Sequence, residues 1–243
     1  GVDLKRMTAE IFGKATGLSG GRGGHMHLFD PAVNFACSGI IAQGMGPACG
    51  AALSRKMQNK PGVAVSFIGE GAVNQGAFHE SLNLAAVWNL PVIFVVEDNA
   101  WGISVSKKDS TAVARNDVRA AAYDMPGYYI ENNDPIAIYD IAGEAIARAR
   151  AGGGPSLIEI ETFRLAGHFM GDAEAYRPAG EKESLGSRDP IPAFRALLQS
   201  EGVTSTQLEE LEASAESEVA EAISFAQDSD YAPVEDALTH VFA

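Results

Sequence analysis

VAVSFIGEGAVNQGAFHESLNLAAVWNLPVIFVVEDNAWG, residues 63–102, decides the fold. Its first seven residues form a short apolar run of strand length that stops at Gly69. From Gln75 to Trp88 the pattern is helical, with Phe78, Leu82, Ala85 and Ala86 at the spacing of one face. Residues 91–99, PVIFVVEDN, are a second run, opened by proline and closed by polar side chains. A strand, a helix and a strand in that order need a crossover, which makes the two strands parallel neighbours.

Working outward, the same alternation continues. A strand around 128–132, a helix over 135–150 and a strand over 156–163 extend the series. The expected fold class is therefore α/β, a doubly wound parallel sheet. Upstream, residues 4–16 read as a helix with Leu4, Met7, Ile11 and Phe12 on one face. The irregular stretch GLSGGRGGHMHLFD follows. A helix from about 43 to 59 is dense in small residues (Gly46, Ala48, Gly50, Ala51, Ala52), which suits close approach of another backbone. Downstream, residues 163–190 lack periodicity, as an active-site loop would. Helical patterns over 190–200 and 205–227 and a short piece, EDALTHVFA, complete the chain. One domain is expected over 1–243, with a helical C-terminal extension from 190.

Composition narrows the functional classes. The net charge of −14 disfavours nucleic acid as a partner, since phosphate backbones need clustered Lys and Arg. No apolar run approaches the roughly 20 residues a membrane span needs. The two cysteines, Cys37 and Cys49, have no metal or redox spacing; both are expected to be small packing residues in a reducing cytoplasm. The start, GVDLKRMTAE, has neither signal-peptide nor transit-peptide character.

The chemistry gathers where the two strands end. Ligands of doubly wound sheets bind at the carboxyl ends of the strands. Gly69 and Gly71 flank Glu70, so the backbone there can turn sharply beside a ligand. The following helix would aim its N-terminal amides at an anion. Glu70 offers a carboxylate and Asn99 a neutral oxygen. Mg²⁺ takes such hard oxygens and completes its shell with phosphate oxygens and water. A nicotinamide-binding reading needs GxGxxG, and GEGAVNQG lacks the third glycine in place.

The stretch from Gly69 to Gly102 resembles the thiamine-diphosphate motif, GDG followed downstream by Asn. The version is that of the alpha subunits of 2-oxo acid and acetoin dehydrogenase complexes. The similarity runs from KRMTAEIFGKATG through GGRGGHMH and the 163–177 loop to the C-terminal helices. It implies that Glu70, the Asn99 side chain and the Trp101 backbone carbonyl bind Mg²⁺. Gly69, Gly71 and Ala72 would meet the diphosphate, while Gly39 and Ile41 would line the aminopyrimidine. Glu replaces the usual Asp at position 70, as in branched-chain members, and Trp replaces the usual Tyr at 101.

The resemblance further implies a catalytic role for His168 in FRLAGHFMGD, because histidine is the side chain that trades protons in the neutral range. Arg164 would pair with the diphosphate or, alternatively, form a structural salt bridge. Relatives often have a second histidine where Ala166 stands, and the mammalian pyruvate enzyme has a regulatory serine where Phe169 stands, so phosphorylation control there is not expected. His27 matches the family's Met-His pair, with His25 beside it; Glu80, next to His79, lies near a subunit interface in relatives. A Tyr-Arg pair that contacts the diphosphate in the family lies upstream of the matching region, which suggests a shortened chain with weaker cofactor binding. Implied partners are a beta subunit, in an assembly of two alpha and two beta chains, and a lipoyl-bearing acyltransferase. The implied small-molecule substrate is acetoin or a 2-oxo acid such as pyruvate, and the location cytoplasmic. A subunit that keeps the fold as a silent scaffold is the alternative.

Overall fold

Gly69 and Asn99 stand at the same edge of one sheet. In the computed structural model, which describes residues 1–239, the elements in chain order are α1 (Leu4–Ile11), β1 (Phe29–Asp30), β2 (Phe35–Ala36), α2 (Met45–Met57), β3 (Ala64–Gly69), α3 (Gly76–Val87) and β4 (Val92–Asp98). Then come β5 (Trp101–Gly102), β6 (Val105–Ser106), α4 (Lys107–Ser110), β7 (Gly127–Ile130), α5 (Pro135–Arg150), β8 (Ser156–Glu161), α6 (Glu181–Gly186), α7 (Pro190–Ser200) and α8 (Ser205–Asp228). The last four residues of EDALTHVFA lie outside the described residues. The chain clusters into two compact units, residues 41–197 and residues 1–40 with 198–243.

The larger unit holds a four-stranded sheet in the order β3-β4-β8-β7, every pairing parallel. β4 is central, and six of its seven residues are buried. Val92, Phe94 and Val96 join one core with α2 and α3, and Ile93 and Val95 join a second with α5. Helices therefore cover both faces, as a doubly wound sheet requires, and the continuous apolar run is the signature of a strand buried on both sides. The α5 boundaries match the sequence reading because both ends are signalled. Asp134 accepts from the amides of Ile136 and Ala137, Pro135 opens the first turn, and Gly152 beyond the end holds a φ of +81°.

The smaller unit is built on α1 and α8. α1 stops at Ile11, short of the expected residue 16, because Gly13 turns the chain left-handed at φ +71°. Glu10, fully buried, accepts amide hydrogen bonds from Ser19 (2.7 Å), Gly21 (2.9 Å) and Gly23 (2.6 Å) and so folds the glycine-rich stretch around one carboxylate. Burial alone would raise the Glu10 pKa, but these donors outweigh it and hold the group below its ordinary value. α8 opens with a Thr204–Gln207 capping box and buries only Leu208, Ala222 and Ala226, so its acidic residues form the expected solvated face.

Two expectations fail here. Cys49 is buried as foreseen, but Cys37 is exposed and accepts the Leu28 amide at 3.1 Å instead of packing in a core. The 163–190 segment is not wholly irregular, since α6 forms within it. The two small hairpins, β1–β2 and β5–β6, carry no periodic signal in sequence because each strand has two residues.

Candidate functional site

β3 and β4 are in parallel register with Gly69 opposite Glu97, so the residues that follow each strand meet. Glu70 is 1% exposed, and its Oε2 accepts the backbone N–H of Asn99 at 3.1 Å. A 3-10 turn, Glu70–Asn74, joins β3 to α3, which spans Gly76–Val87 within the helix expected over Gln75–Trp88. It is this turn that follows Gly69 at the strand end. Ala72 is buried, and a Cβ on Gly71 would meet the Cα of Gly102 at 3.4 Å, so two backbones approach across the site.

Beyond β4 the chain folds back on itself. The Asn99 side-chain oxygen accepts the Trp101 amide at 3.2 Å, and β5 pairs with β6 in a tight hairpin. Ala100 and Ile103 both hold left-handed backbone, with φ of +67° and +57°. For a β-branched residue that strain is on the order of 1–3 kcal/mol, and such residues cluster at binding sites.

Behind the strand ends lies a buried ionic network. Lys107, at the end of the hairpin, pairs with Asp98 and, at 3.0 Å, with Glu159 on β8. Glu159 also takes the Asn116 side chain at 2.9 Å and the Asp117 amide at 2.9 Å. Burial and the neighbouring Asp98 push the Glu159 carboxyl up, against the pull of Lys107 and the Asp117 amide. Burial likewise raises Glu70, with Asp98 adding to it; the Asn99 amide and Lys107 oppose. Lys107 is thus committed to Asp98 and Glu159 and forms no hydrogen bond to Glu70, whose charge is only partly compensated.

The loop after β8 meets the hairpin. Arg164 donates to the Ile103 carbonyl at 3.0 Å and to the Tyr176 hydroxyl at 2.6 Å, with a longer 3.4 Å contact to His168 Nδ1. Asp172 accepts from the His168 amide, the Glu174 amide and the Tyr176 hydroxyl, which hold its carboxyl at about 2. The Trp101 indole donates to Glu181 at 3.3 Å, and its ring lies 5.2 Å from that of Tyr176. Arg177, within reach of Glu174 and Glu181, donates to the Arg164 carbonyl at 2.8 Å.

Glu70, Gly71, Ala72, Asn99 and Trp101 are therefore brought together, and Arg164 and His168 share one hydrogen-bonded loop. Gly39 belongs to the smaller unit, where a Cβ would meet Met26 Sδ at 3.0 Å; Ile41 opens the larger unit and is exposed. His25 and His27 are exposed in the smaller unit, and among the described residues no three His, Cys, Asp or Glu side chains cluster to hold a metal. His79 is not on a free face, since its Nδ1 lies 2.7 Å from the Tyr123 hydroxyl. Sequence reasoning missed Asp98, Lys107, Glu159 and Asp172. Asp98 sits in the quoted motif, but its partners are distant in sequence, and Asp172 stands in a loop without periodicity.

The donor set has one carboxylate, one side-chain amide oxygen and one nearby backbone carbonyl, which suits a hard divalent cation sharing its shell with phosphate. Residues 1–235 of the chain that carries this site match the family of the dehydrogenase E1 component, and the chain belongs to that family. The acetoin:2,6-dichlorophenolindophenol oxidoreductase alpha subunit of Bacillus subtilis is 46% identical over all of this chain and 73% of its own length. That of Cupriavidus necator is 42% identical over all of this chain and 74% of its own length. A chloroplastic pyruvate dehydrogenase E1 component subunit alpha-3 from Oryza sativa is 37% identical over all of this chain and 60% of its own length. A silent scaffold is not favoured by this membership. Among the described residues no helix is long and apolar enough to cross a membrane.

Proposed function

We propose that this chain is the alpha subunit of a thiamine-diphosphate-dependent dehydrogenase that cleaves acetoin or a 2-oxo acid such as pyruvate. The acyl-level fragment passes to a lipoyl-bearing acyltransferase partner. The observation that carries the reading is the Glu70–Asn99 contact at adjacent strand ends, beside the 3-10 turn Glu70–Asn74. Glu70, the Asn99 side chain and the Trp101 carbonyl hold Mg²⁺. Gly69, Gly71 and Ala72 bind the diphosphate through backbone, and Arg164 adds a positive charge. Ile41, at the start of the larger unit, lines the aminopyrimidine.

Thiamine diphosphate, when bound, supplies an electron sink for breaking the bond next to a carbonyl. His168, held near Arg164 by the loop network, assists transfer to the lipoyl arm, a task that suits a side chain able to exchange protons near neutrality. A beta subunit completes the site in an assembly of two alpha and two beta chains. Open surface supports a partner: Phe67 is 63% exposed on β3, and nothing lies within 4 Å of a Cβ on Gly46 or Gly50 of α2. The two free cysteines agree with a cytoplasmic location. The acetoin reading rests on the greater identity to the two acetoin oxidoreductase subunits.

Co-expression with a beta chain tests this. Dye reduction is expected with acetoin ahead of pyruvate and branched 2-oxo acids, and the rate should fall to background in E70A. Equal background rates on all three substrates would remove the assignment.

A further inference from the structure

At the edge of the sheet opposite Glu70, three helices end together. α2 stops at Met57, α3 at Val87 and α5 at Arg150, and each is followed by a left-handed residue: Asn59 (φ +50°), Asn89 (φ +48°) and Gly152 (φ +81°). Between these turns lies an open cleft of about 410 Å³. Arg55, Lys56, Lys60 and Arg150 line it, and no Asp or Glu does. β3 and β4 have six and seven residues, so the cleft lies roughly 20 Å from the Glu70 end of the sheet.

Basic residues at helix C-termini have an ordinary explanation, and its size can be weighed. Three helix ends present about −1.5 elementary charges in all, at about −0.5 each. One cation already answers part of that demand. Lys56 donates to the carbonyls of Trp88 (2.7 Å) and Asn89 (3.2 Å) at the end of α3, whereas Arg148 is spent on the loop carbonyls of Gly154 (3.1 Å) and Pro155 (2.8 Å). Arg55, Lys60 and Arg150 remain, and among the described residues their side chains form no hydrogen bond or ion pair. In a chain of net charge −14, the four cations that line this concave space, with no carboxylate among them, exceed the charge that the three helix ends present.

A second, more apolar groove adjoins the first and shares Lys56 with it. Leu53, Met57 and Trp88 form its other walls, with Met57 75% and Trp88 46% exposed. Paired guanidiniums match phosphate oxygens, and an exposed indole beside an apolar side chain takes a flat ring. We propose that this cleft binds a phosphorylated metabolite of the nucleotide class, its phosphates among Arg55, Lys60 and Arg150 and its ring against Met57 and Trp88. The site is separate from the strand-end cofactor site and does not depend on that assignment.

The test is calorimetric titration of the assembled enzyme, saturated with thiamine diphosphate and Mg²⁺, with inorganic pyrophosphate and with ATP at matched free Mg²⁺. Both should bind once per alpha chain, ATP about fivefold or more tighter, and both more weakly as salt rises. The R55A/R150A double variant should lose about tenfold or more for either ligand. W88A should weaken ATP alone, with dehydrogenase activity and melting temperature kept in both variants. Absence of binding, or equal binding to wild type and the double variant, would overturn the site. Equal affinity for pyrophosphate and ATP would overturn its ring-binding half. Comparison of variant with wild type reads the cleft whether or not the strand-end site takes cofactor.

Discussion

Glu70 is a buried carboxylate whose pKa burial pushes up, with Asp98 adding to the effect. The folded chain therefore holds this proton more tightly than the unfolded chain. The sign follows: Glu70 costs no stability below its unfolded value, and the cost grows as pH rises from there through the raised folded value. A bound cation would offset that cost. Without divalent ions at pH 7.5, E70Q should melt above wild type by roughly 2–4 °C, the shift that ~1 kcal/mol gives in a chain of this size. The gap should close near pH 4, and Mg²⁺ with thiamine diphosphate should raise the melting temperature of wild type only. Differential scanning calorimetry across pH checks this. An E70Q protein that melts lower at every pH would show that the carboxylate stabilises the fold without a metal.

At the scale of elements, the strand-end hairpin is braced from behind. Lys107 lies between Asp98 of β4 and Glu159 of β8, and its side chain is only 13% exposed. Replacing it with Met leaves two carboxylates buried without their cation, which costs about 3–5 kcal/mol where partners of buried pairs have been removed. Urea unfolding of K107M should show a loss of that order, and a loss under about 1 kcal/mol would mean the network does not brace the strands. Elements with a period were legible in sequence. The four long strands and α5 follow from apolar runs and caps, and Glu70 and Asn99 from the ends of two such runs. The brace was not legible, because Lys107 is 9 residues from Asp98 and 52 from Glu159 and no periodicity links them. The loop network centred on Asp172 escaped for a different reason. Its order comes from side-chain hydrogen bonds and the Trp101–Tyr176 contact, and such bonds leave no pattern of hydrophobicity.

At the scale of the whole molecule, the larger unit offers two edges of one sheet with opposite uses. The carboxyl ends of the strands gather acidic and amide oxygens with a polar loop; the amino ends gather unpaired cations in a cleft. The outer face of β3 leaves Val65 and Phe67 exposed, as suits a chain that works within an assembly. The central claim is that Glu70 and Asn99 clamp a divalent ion onto a diphosphate. Isothermal titration of thiamine diphosphate into the alpha–beta assembly, with and without Mg²⁺, tests it most directly. Binding should require Mg²⁺ in wild type and weaken about 100-fold, some 2.7 kcal/mol, in both E70A and N99A. Metal-independent binding, or unchanged affinity in those two variants, would contradict it.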